Sequence, residues 1–380
     1  MKRLKLIRLT TIPLTMNLLL KNQLRFLNQF FEVILVSSPG NDFNEVQSRE
    51  GVKGFAIKME REIKLISDIR SLFKLFHLFL IEKPKIIHSN TPKSSLLSMF
   101  AAWLLRVDLR IYTIGGLRYE GVFGFKRSVL IFIEKITCYF STHVLCESIG
   151  VKNKIEQFGV KGKKIYLLSP SNLNGVDTKH FDPNLYDNNK IRQQFNIPQN
   201  EFVFLFVGRI VKDKGVFELL EAYNQLCTRY SNTSLYIIGP NDKQGDDFKL
   251  FENLCSRNNK VYYFDFNNDI REFLALSDCF VLPSYREGFP NVVLEAGSMG
   301  KPVIMTNVNG YHEYLNKSNG LLTTIGDSND LLDKMDLIIN TIGNYSPIEI
   351  RKFVVENFES TIVHQVLLEF YKTHLLDLNK

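Results

Sequence analysis

Cysteine is scarce in this chain of 380 residues, and its pattern indicates no covalent framework. The five cysteines are odd in number and none forms a Cys-x-x-Cys pair, so neither a set of disulfides nor a zinc site is predicted. The seven histidines are dispersed along the chain, which argues against a cluster of metal ligands. These patterns favour a reducing compartment and predict no metal site.

Long apolar runs are also missing from the sequence. The most apolar stretches, around Leu96–Leu105 and Val129–Phe140, either fall short of the roughly 20 residues of a membrane-spanning helix or contain charges. The N-terminus is basic and then apolar, but Thr10, Pro13 and Asn17 interrupt it and no small-residue cleavage site follows. We therefore expect neither a transmembrane helix nor a signal peptide.

Composition and charge suggest two domains. Hydrophobic residues make up 45% of the chain and charged residues 23%, so a chain of this length can bury a large core. Residues 1–183 hold 28 Lys and Arg against 15 Asp and Glu, a net +13, whereas the rest holds 19 against 25, a net −6. A basic half favours an anionic partner, and the lack of a nucleic-acid recognition motif favours a membrane surface. The alternative is a solvated basic surface without a partner.

Strand and helix patterns alternate through the first half of the chain. Apolar, β-branched runs such as Val33–Ser37 are separated by amphipathic segments such as Leu18–Phe31 and Ser67–Ile81. This alternation is typical of a parallel sheet covered by helices on both faces. Ligands of such sheets bind beyond the carboxyl ends of the strands, so the loops at those ends are the candidate binding loops.

A turn-rich stretch over residues 169–186 separates this series from a second alternating series that begins with Phe202–Val207. We predict a first domain over residues 1–183 and a second over residues 184–360. A C-terminal helix within 361–380 is expected to pack back towards the first domain.

The stretch over residues 278–302 is predicted to be the centre of the site. Its apolar run Cys279–Leu282 is typical of a strand buried on both faces, and an amphipathic helix is expected to start near Pro290. Such a helix directs free N–H groups towards the space beyond the strand ends, where a phosphate can bind. Glu287 lies in the turn and Glu295 about one turn inside the helix. Each of them alone would be taken for a surface charge, but their shared context favours two separate functional roles.

A second candidate phosphate-binding segment follows the strand Phe202–Val207. Arg209 stands where the strand ends, and Lys214 lies in a polar turn that leads into the helix Val216–Tyr230. A diphosphate bound there would meet two cations and the free N–H groups of a helix start. The alternative is that both cations are ordinary surface charges.

These segments resemble glycosyltransferase family 4, whose members have the GT-B fold. The resemblance rests on GRIVKDKG at 208–215, on PSYREGFPNVVLEAGSMGKPV at 283–303 with its two glutamates separated by seven residues, and on NGVDTKHF at 174–181. It implies an α/β protein of two doubly wound Rossmann-like domains facing a central crevice. The first domain would be on the acceptor side, and the second would bind a nucleotide sugar.

The resemblance also implies a role for each matching residue. Arg209 and Lys214 would hold the diphosphate, Glu287 would meet the donor sugar, and Glu295 would bind the ribose hydroxyls. Departure of a nucleoside diphosphate builds negative charge that fixed cations and N–H dipoles stabilise, so no metal is assigned. The resemblance implies retention on one face of the sugar, with the leaving phosphate helping to accept the acceptor's proton, so no protein nucleophile is assigned. Further donor contacts are expected from Gly208, Gly288, Phe289, Pro290 and Asn291.

Two N-terminal loops resemble those of bacterial members that build lipid-linked surface polysaccharides. They are HSNTPKSS at 88–95 and TIGGLRYEG at 113–121. Relatives commonly carry a histidine where this chain has Gly115, so no catalytic histidine is assigned. The acceptor-side candidates are Lys93, Gly115, Gly116 and Arg118.

The activity implied is retaining transfer of a hexose or N-acetylhexosamine from a nucleotide sugar, with a UDP-sugar favoured, to a glycan or lipid-linked acceptor in surface polysaccharide biosynthesis. The nucleotide sugar is a co-substrate, and no cofactor or metal is expected. The enzyme is expected in the cytoplasm, peripheral on the cytoplasmic face of the membrane. The alternatives are a sugar-nucleotide epimerase of GT-B-like architecture and an inactive GT-B-like scaffold. Product analysis separates them, because only a transferase extends a glycan and only an epimerase isomerises the donor.

Overall fold

A computed structural model describes residues 3–60, 62, 64–160, 164–169, 172–241, 246–265 and 269–377. The chain forms two compact units. The first consists of Met1–Asn174 and Ser360–Lys380, and the second of Gly175–Glu359.

The first unit is built on a seven-stranded sheet in which all paired strands are parallel. The strand order is β3-β2-β1-β4-β5-β6-β7. Most of these strands are apolar and buried, as expected for a sheet covered on both faces. The strands are β1 (Lys5–Leu9), β2 (Glu32–Ser37), β3 (Lys53–Ala56), β4 (Ile86–Ser89), β5 (Leu109–Ile114), β6 (His143–Cys146) and β7 (Lys164–Leu167).

Within the described part of the first unit, seven α-helices occur between these strands. The helix predicted over Leu18–Phe31 is wrong as a single element, because Asn22 adopts a left-handed conformation with φ of 64° that separates two short helices. The helices are α1 (Pro13–Leu19), α2 (Gln23–Leu27), α3 (Asn41–Glu50), α4 (Leu65–Glu82), α5 (Pro92–Leu104), α6 (Gly124–Phe140) and α7 (Ile149–Gln157).

The second unit has a six-stranded sheet, again with all paired strands parallel. Its strand order is β10-β9-β8-β11-β12-β13. The strands are β8 (Phe202–Val207), β9 (Thr233–Ile238), β10 (Val261–Phe264), β11 (Cys279–Leu282), β12 (Val303–Thr306) and β13 (Gly320–Thr323). Its helices are α8 (Asn188–Gln194), α9 (Val216–Leu226), α10 (Asp246–Ser256), α11 (Arg271–Leu276), α12 (Asn291–Ser298), α13 (Tyr311–Tyr314), α14 (Ser328–Thr341) and α15 (Pro347–Phe358).

The last helix, α16 (Ser360–Asp377), belongs to the first unit. Tyr371 is fully buried there, and its hydroxyl accepts a hydrogen bond of 2.8 Å from Arg8 Nη1 on β1. Residues 378–380 of the predicted C-terminal helix lie outside the described residues.

The division between the units lies before residue 175, whereas the sequence placed it after residue 183. Hydrogen bonds attach the intervening segment to the second unit: Val176 N donates to the Phe358 carbonyl (2.9 Å), and Arg351 donates to the Thr178 carbonyl (2.9 Å). Residues 170 and 171 of the predicted linker are not among those described.

No helix within the described ranges is both long and apolar enough to cross a membrane.

Candidate functional site

The candidate donor site lies at the point where the strand order of the second sheet reverses. Strand β8 pairs with β9 on one side and with β11 on the other. The segments that leave β8 and β11, starting at Gly208 and Pro283, therefore emerge side by side at the carboxyl edge of the sheet. Ligands of open α/β sheets bind beyond this edge at such a reversal.

Gly215 permits the close approach of these two segments. It follows a 3-10 turn over Lys212–Lys214 and precedes α9, with φ of 68° in the left-handed region. A Cβ at this position would stand 2.0 Å from the carbonyl oxygen of Pro283. Only glycine satisfies both the conformation and the space, so this residue brings the turn that carries Lys214 against the loop after β11.

Lys214 and Glu287 form an ion pair across this contact. The lysine Nζ donates to Glu287 Oε1, and the two side chains are only 20% and 15% exposed. The sequence predicted both residues for the site but assigned one to the diphosphate and the other to the donor sugar. The structure brings them into direct contact, so an incoming diphosphate would have to share or displace this lysine.

Further contacts hold the loop after β11 on the turn before α9. Arg286 forms an ion pair with Asp213, and Tyr285 N donates to the Asp213 carbonyl oxygen (2.9 Å). The Tyr285 hydroxyl donates to Glu218 on α9 (2.5 Å). Sequence reasoning missed these positioning residues, because the contacts depend on which strands are neighbours in the sheet. Together they fix the loop that carries Glu287.

Helix α12 begins at Asn291, and Pro290 is its N-cap with an extended backbone. The prediction that the helix starts near Pro290 is thus correct to one residue, but the proline precedes the helix and provides no side-chain cap. The first N–H groups of the helix point back towards the Glu287 loop, where the helix dipole favours an anion. Glu295 is the fifth residue of α12 and is half-buried.

Phe289 contributes differently from the other predicted donor contacts. Its side chain is 5% exposed and its ring lies 5.5 Å from that of Phe358, between ring centroids. The side chain therefore belongs to the core, and only the main chain of Phe289 is available to a ligand. Gly288 is also buried.

The loop after β12 supports the same region and was missed by sequence reasoning. Asn309 Nδ2 donates to the main-chain oxygen of Glu287 (3.0 Å). Gly310 has φ of 87°, and a Cβ there would stand 2.9 Å from the Gly288 oxygen. The signal was available, because Asn309 follows a buried strand as the other site residues do.

Arg209 follows Gly208 after the end of β8, and its side chain is exposed. The neighbouring strand approaches closely here: a Cβ on Gly239, which follows β9, would stand 1.9 Å from the Gly208 oxygen. Within the described ranges no acidic side chain forms an ion pair with Arg209. Its charge therefore remains available at the edge where the Lys214–Glu287 pair lies.

The acceptor-side candidates lie in the first unit, in the loops that follow β4 and β5. Lys93 is in the first turn of α5, is 8% exposed and forms an ion pair with Asp68 of α4 (2.6 Å). This pairing neutralises its charge and joins two helices. Arg118 is exposed in a 3-10 turn, and Gly115 and Gly116 precede it at the end of β5.

Gly115 packs against a buried carboxylate that sequence reasoning missed. A Cβ at residue 115 would stand 2.8 Å from Glu147 Oε2, so a larger residue does not fit without displacing Glu147. Burial raises the pKa of the Glu147 carboxyl group to about 7, although Asn174 Nδ2 donates a long hydrogen bond to it (3.4 Å). Glu147 follows β6 directly, so the strand-end rule could have identified it.

His88 is buried in the interior of the first unit. Its ring nitrogens contact Arg8 Nη1 (3.0 Å) and Thr113 Oγ1 (2.6 Å). Burial and the Arg8 charge hold the pKa of His88 well below its usual value, so the ring is neutral. Among the residues that the structure describes, no group of three or more His, Cys, Asp or Glu is arranged to hold a metal ion.

Two family descriptions match successive parts of the chain. Residues 19–180 match the family described as Glycosyltransferase Family 4, and residues 187–344 match Glycosyl transferases group 1. These ranges correspond to the two units in order.

Full-length relatives and solved structures agree with these matches. The capsular polysaccharide biosynthesis glycosyltransferase CapM of Staphylococcus aureus is 34% identical over 99% of this chain and 98% of its own. A UDP-Gal:alpha-D-GlcNAc-diphosphoundecaprenol alpha-1,3-galactosyltransferase of Escherichia coli is 26% identical over 89% and 86%. HepE of Anabaena, solved with UDP and glucose, superimposes with a TM-score of 0.83 at 19% identity over 97% of this chain and 100% of its own. The protein is therefore a member of glycosyltransferase family 4 and has the GT-B fold.

Proposed function

We propose that the protein is a retaining hexosyltransferase that moves a hexose or N-acetylhexosamine from a UDP-sugar to a lipid-linked acceptor in surface polysaccharide biosynthesis. The observation that carries this proposal is the Lys214–Glu287 ion pair at the strand-order reversal of the second sheet. Arg209 and the N-terminus of α12 lie at the same sheet edge. This edge therefore combines two cations and a helix dipole for a diphosphate with a carboxylate for a sugar.

The chemistry follows from where charge develops. As the bond between the anomeric carbon and the diphosphate breaks, negative charge grows on the phosphate oxygens, and Lys214, Arg209 and the first N–H groups of α12 stabilise it. The proton of the attacking acceptor hydroxyl passes to a departing phosphate oxygen on the same face of the sugar. Glu287 binds the donor sugar, and Glu295 binds the ribose. No protein nucleophile and no metal take part in this scheme.

The relatives support the choice of donor and acceptor. The Escherichia coli relative is named for UDP-Gal and a diphosphoundecaprenol-linked acceptor, and a relative from Campylobacter jejuni, 29% identical over 67% of this chain, is also named for a diphospho-undecaprenol acceptor. The Anabaena structure holds UDP and glucose. These names are of transferases, which favours transfer over epimerisation of the donor.

We also propose that the protein works at the cytoplasmic face of the membrane and docks there through its first unit. The net charge of +14 over residues 1–174, with 27 Lys and Arg against 13 Asp and Glu, supports this proposal. So do Phe123 and Phe125, which are 87% and 83% exposed beside Lys126 and Arg127 at the start of α6. Aromatic side chains next to cations suit reversible binding to anionic lipid, with each cation contributing about 1 kcal/mol near such a surface.

A donor panel tests the proposed activity. Among UDP-, GDP-, ADP- and dTDP-sugars, a true donor at roughly 100 times its dissociation constant should stabilise the protein by about 2.7 kcal/mol in thermal unfolding. Mass spectrometry of reactions with that donor and a polyprenyl-diphosphate-linked sugar should show one added hexosyl or N-acetylhexosaminyl unit. An isomerised nucleotide sugar would indicate an epimerase, and binding without any product would indicate a scaffold.

Vesicle sedimentation of the whole protein tests the docking proposal. Vesicles of phosphatidylglycerol and phosphatidylcholine should pellet the protein, whereas pure phosphatidylcholine should not, and high salt should release it because salt screens the attraction. Substituting Phe123→Ser and Phe125→Ser together should weaken pelleting. Equal binding to both vesicle types, or to neither, contradicts electrostatic docking.

A further inference from the structure

A groove of about 740 Å³ lies in the first unit, on the loop that follows β3 and on the first turns of α4. Among the described residues that line it, four are basic and one, Glu60, is acidic. The basic residues are Lys58, Lys64, Arg70 and Lys74, and the groove is also lined by the apolar residues Leu65 and Ile66. Its volume is in the range of sites that hold small ligands.

The charge of the groove is only partly neutralised within the protein. Glu60 forms ion pairs with Lys58 (3.4 Å) and with Lys64. Arg70 and Lys74 are exposed and stand four residues apart on α4, and no carboxylate in the described part of the chain forms an ion pair with either. Like charges at this spacing repel one another on a helix, and a bound anion would remove that repulsion.

The same helix carries an apolar surface that the protein leaves uncovered. Leu65, Ile66, Ile69 and Phe73 of α4 are 73%, 71%, 53% and 69% exposed. The opposite side of α4, with Leu75 among its residues, is buried against the sheet. A helix with apolar residues on both sides is expected to have a partner on each, and one of these sides is open.

A second cavity, of about 490 Å³, continues from the first towards the carboxyl ends of β1 and β2. Both cavities share Lys58, Glu60 and Lys64, and the second extends to Pro13 and Ser38. A path thus runs from the strand ends, past Lys58 and Lys64, to the open apolar side of α4. At the strand ends its lining combines Ser38 and Glu62 with the apolar residues Ile12, Pro13, Pro39 and Met59.

We propose that this groove binds the diphosphate and the first isoprenyl units of the lipid that carries the acceptor glycan, with the diphosphate against Arg70 and Lys74 and the hydrocarbon along Ile66 and Phe73. The glycan would then extend over the strand ends towards Pro13. This proposal rests on the proposed function, because it takes the acceptor to be lipid-linked. A molecule that is anionic at one point and apolar beyond it matches the charge and the apolar stripe together, which neither a free phosphate nor a neutral lipid does.

Binding of farnesyl diphosphate to the whole protein tests the proposal. Calorimetry is carried out with saturating UDP, so that the donor site is occupied. We expect farnesyl diphosphate to bind and farnesol and inorganic diphosphate to bind at least about tenfold more weakly, because each lacks half of the contact. The double substitution Arg70→Gln and Lys74→Gln should raise the Kd at least about tenfold, and Ile66→Ser with Phe73→Ser several-fold.

The matched control replaces two exposed lysines of the second unit, Lys317→Gln and Lys352→Gln, and should leave the Kd unchanged. All substituted side chains are exposed, so the variants should fold, and unchanged UDP affinity verifies this. Equal binding of farnesyl diphosphate to the wild-type protein and to both groove variants would overturn the proposal. The proposal would also be overturned if the groove variants lost binding to phosphatidylglycerol vesicles but not to farnesyl diphosphate, because the groove would then contact bulk lipid. If the wild-type protein did not bind UDP, the proposed function would be refuted instead.

Discussion

Replacing Lys214 with alanine removes a cation that the account places against the donor diphosphate. The side chain is 20% exposed and already forms an ion pair with Glu287, so its ammonium group is positioned before the donor binds. Loss of one charge-assisted hydrogen bond costs about 1.5–3 kcal/mol, which corresponds to roughly 10- to 150-fold weaker binding of UDP. Uridine lacks the phosphates, and its affinity should therefore be unchanged.

Calorimetric titration of UDP and of uridine measures this difference. Lys212→Ala is the matched control, since Lys212 is an exposed lysine in the same turn. The ion pair is partly exposed, so its loss should cost on the order of 1 kcal/mol of stability and leave the fold intact. Thermal unfolding of each variant checks that the fold survives.

The partner substitution, Glu287→Gln, should have the opposite effect on UDP. It removes a negative charge that repels the diphosphate and competes for Lys214, so UDP should bind as tightly as before or more tightly. Transfer should nevertheless slow, because the variant lacks the carboxylate that we propose contacts the sugar. The reasoning is refuted if Lys214→Ala binds UDP within twofold of the wild-type protein, or if it loses affinity for UDP and uridine equally.

Three further substitutions probe the packing and the electrostatics. Gly215→Ala should destabilise by at least about 2 kcal/mol in urea unfolding, because left-handed strain adds to a clash with the Pro283 oxygen, whereas Gly51→Ala, with φ of 66° and open space, should cost only about 1 kcal/mol. Burial raises the pKa of Glu147 from 4.5 to about 7, so the wild-type protein should lose stability as the pH rises from 4.5 to 7. The free energy of unfolding of Glu147→Gln should therefore increase by about 3 kcal/mol relative to that of the wild-type protein over this interval. A difference that stays constant with pH would contradict the burial argument. Glu295→Ala should weaken UDP and uridine alike, and unchanged affinity for uridine would remove its assignment to the ribose.

Local sequence pattern was sufficient where one segment alone determines the structure. Cys279–Leu282 and Phe202–Val207 are short, apolar and buried, and both are strands as predicted. The short edge strand Lys53–Ala56 was not predicted, because its residues are partly exposed and include a glycine. The break at Asn22 was also missed, since the apolar spacing continues through it while the backbone does not.

The local sequence pattern could not predict contacts between distant segments. Lys214 and Glu287 are paired because β8 and β11 are neighbours in the sheet, which no single stretch of sequence reveals. The burial of Phe289 and the contact of Gly115 with Glu147 likewise depend on tertiary packing. Sequence reasoning therefore named candidate groups for the site, and the structure was needed to show which of them touch.

The anomeric configuration of the product tests the central claim most directly. The whole protein is incubated with the nucleotide sugar that the donor panel identifies and with a polyprenyl-diphosphate-linked sugar, and the purified product is examined by NMR. Retaining transfer should form one new glycosidic bond with the anomeric configuration of the donor, and Lys214→Ala should form this product much more slowly than Lys212→Ala. A product of inverted configuration, or one formed at the same rate by Lys214→Ala, would contradict this prediction.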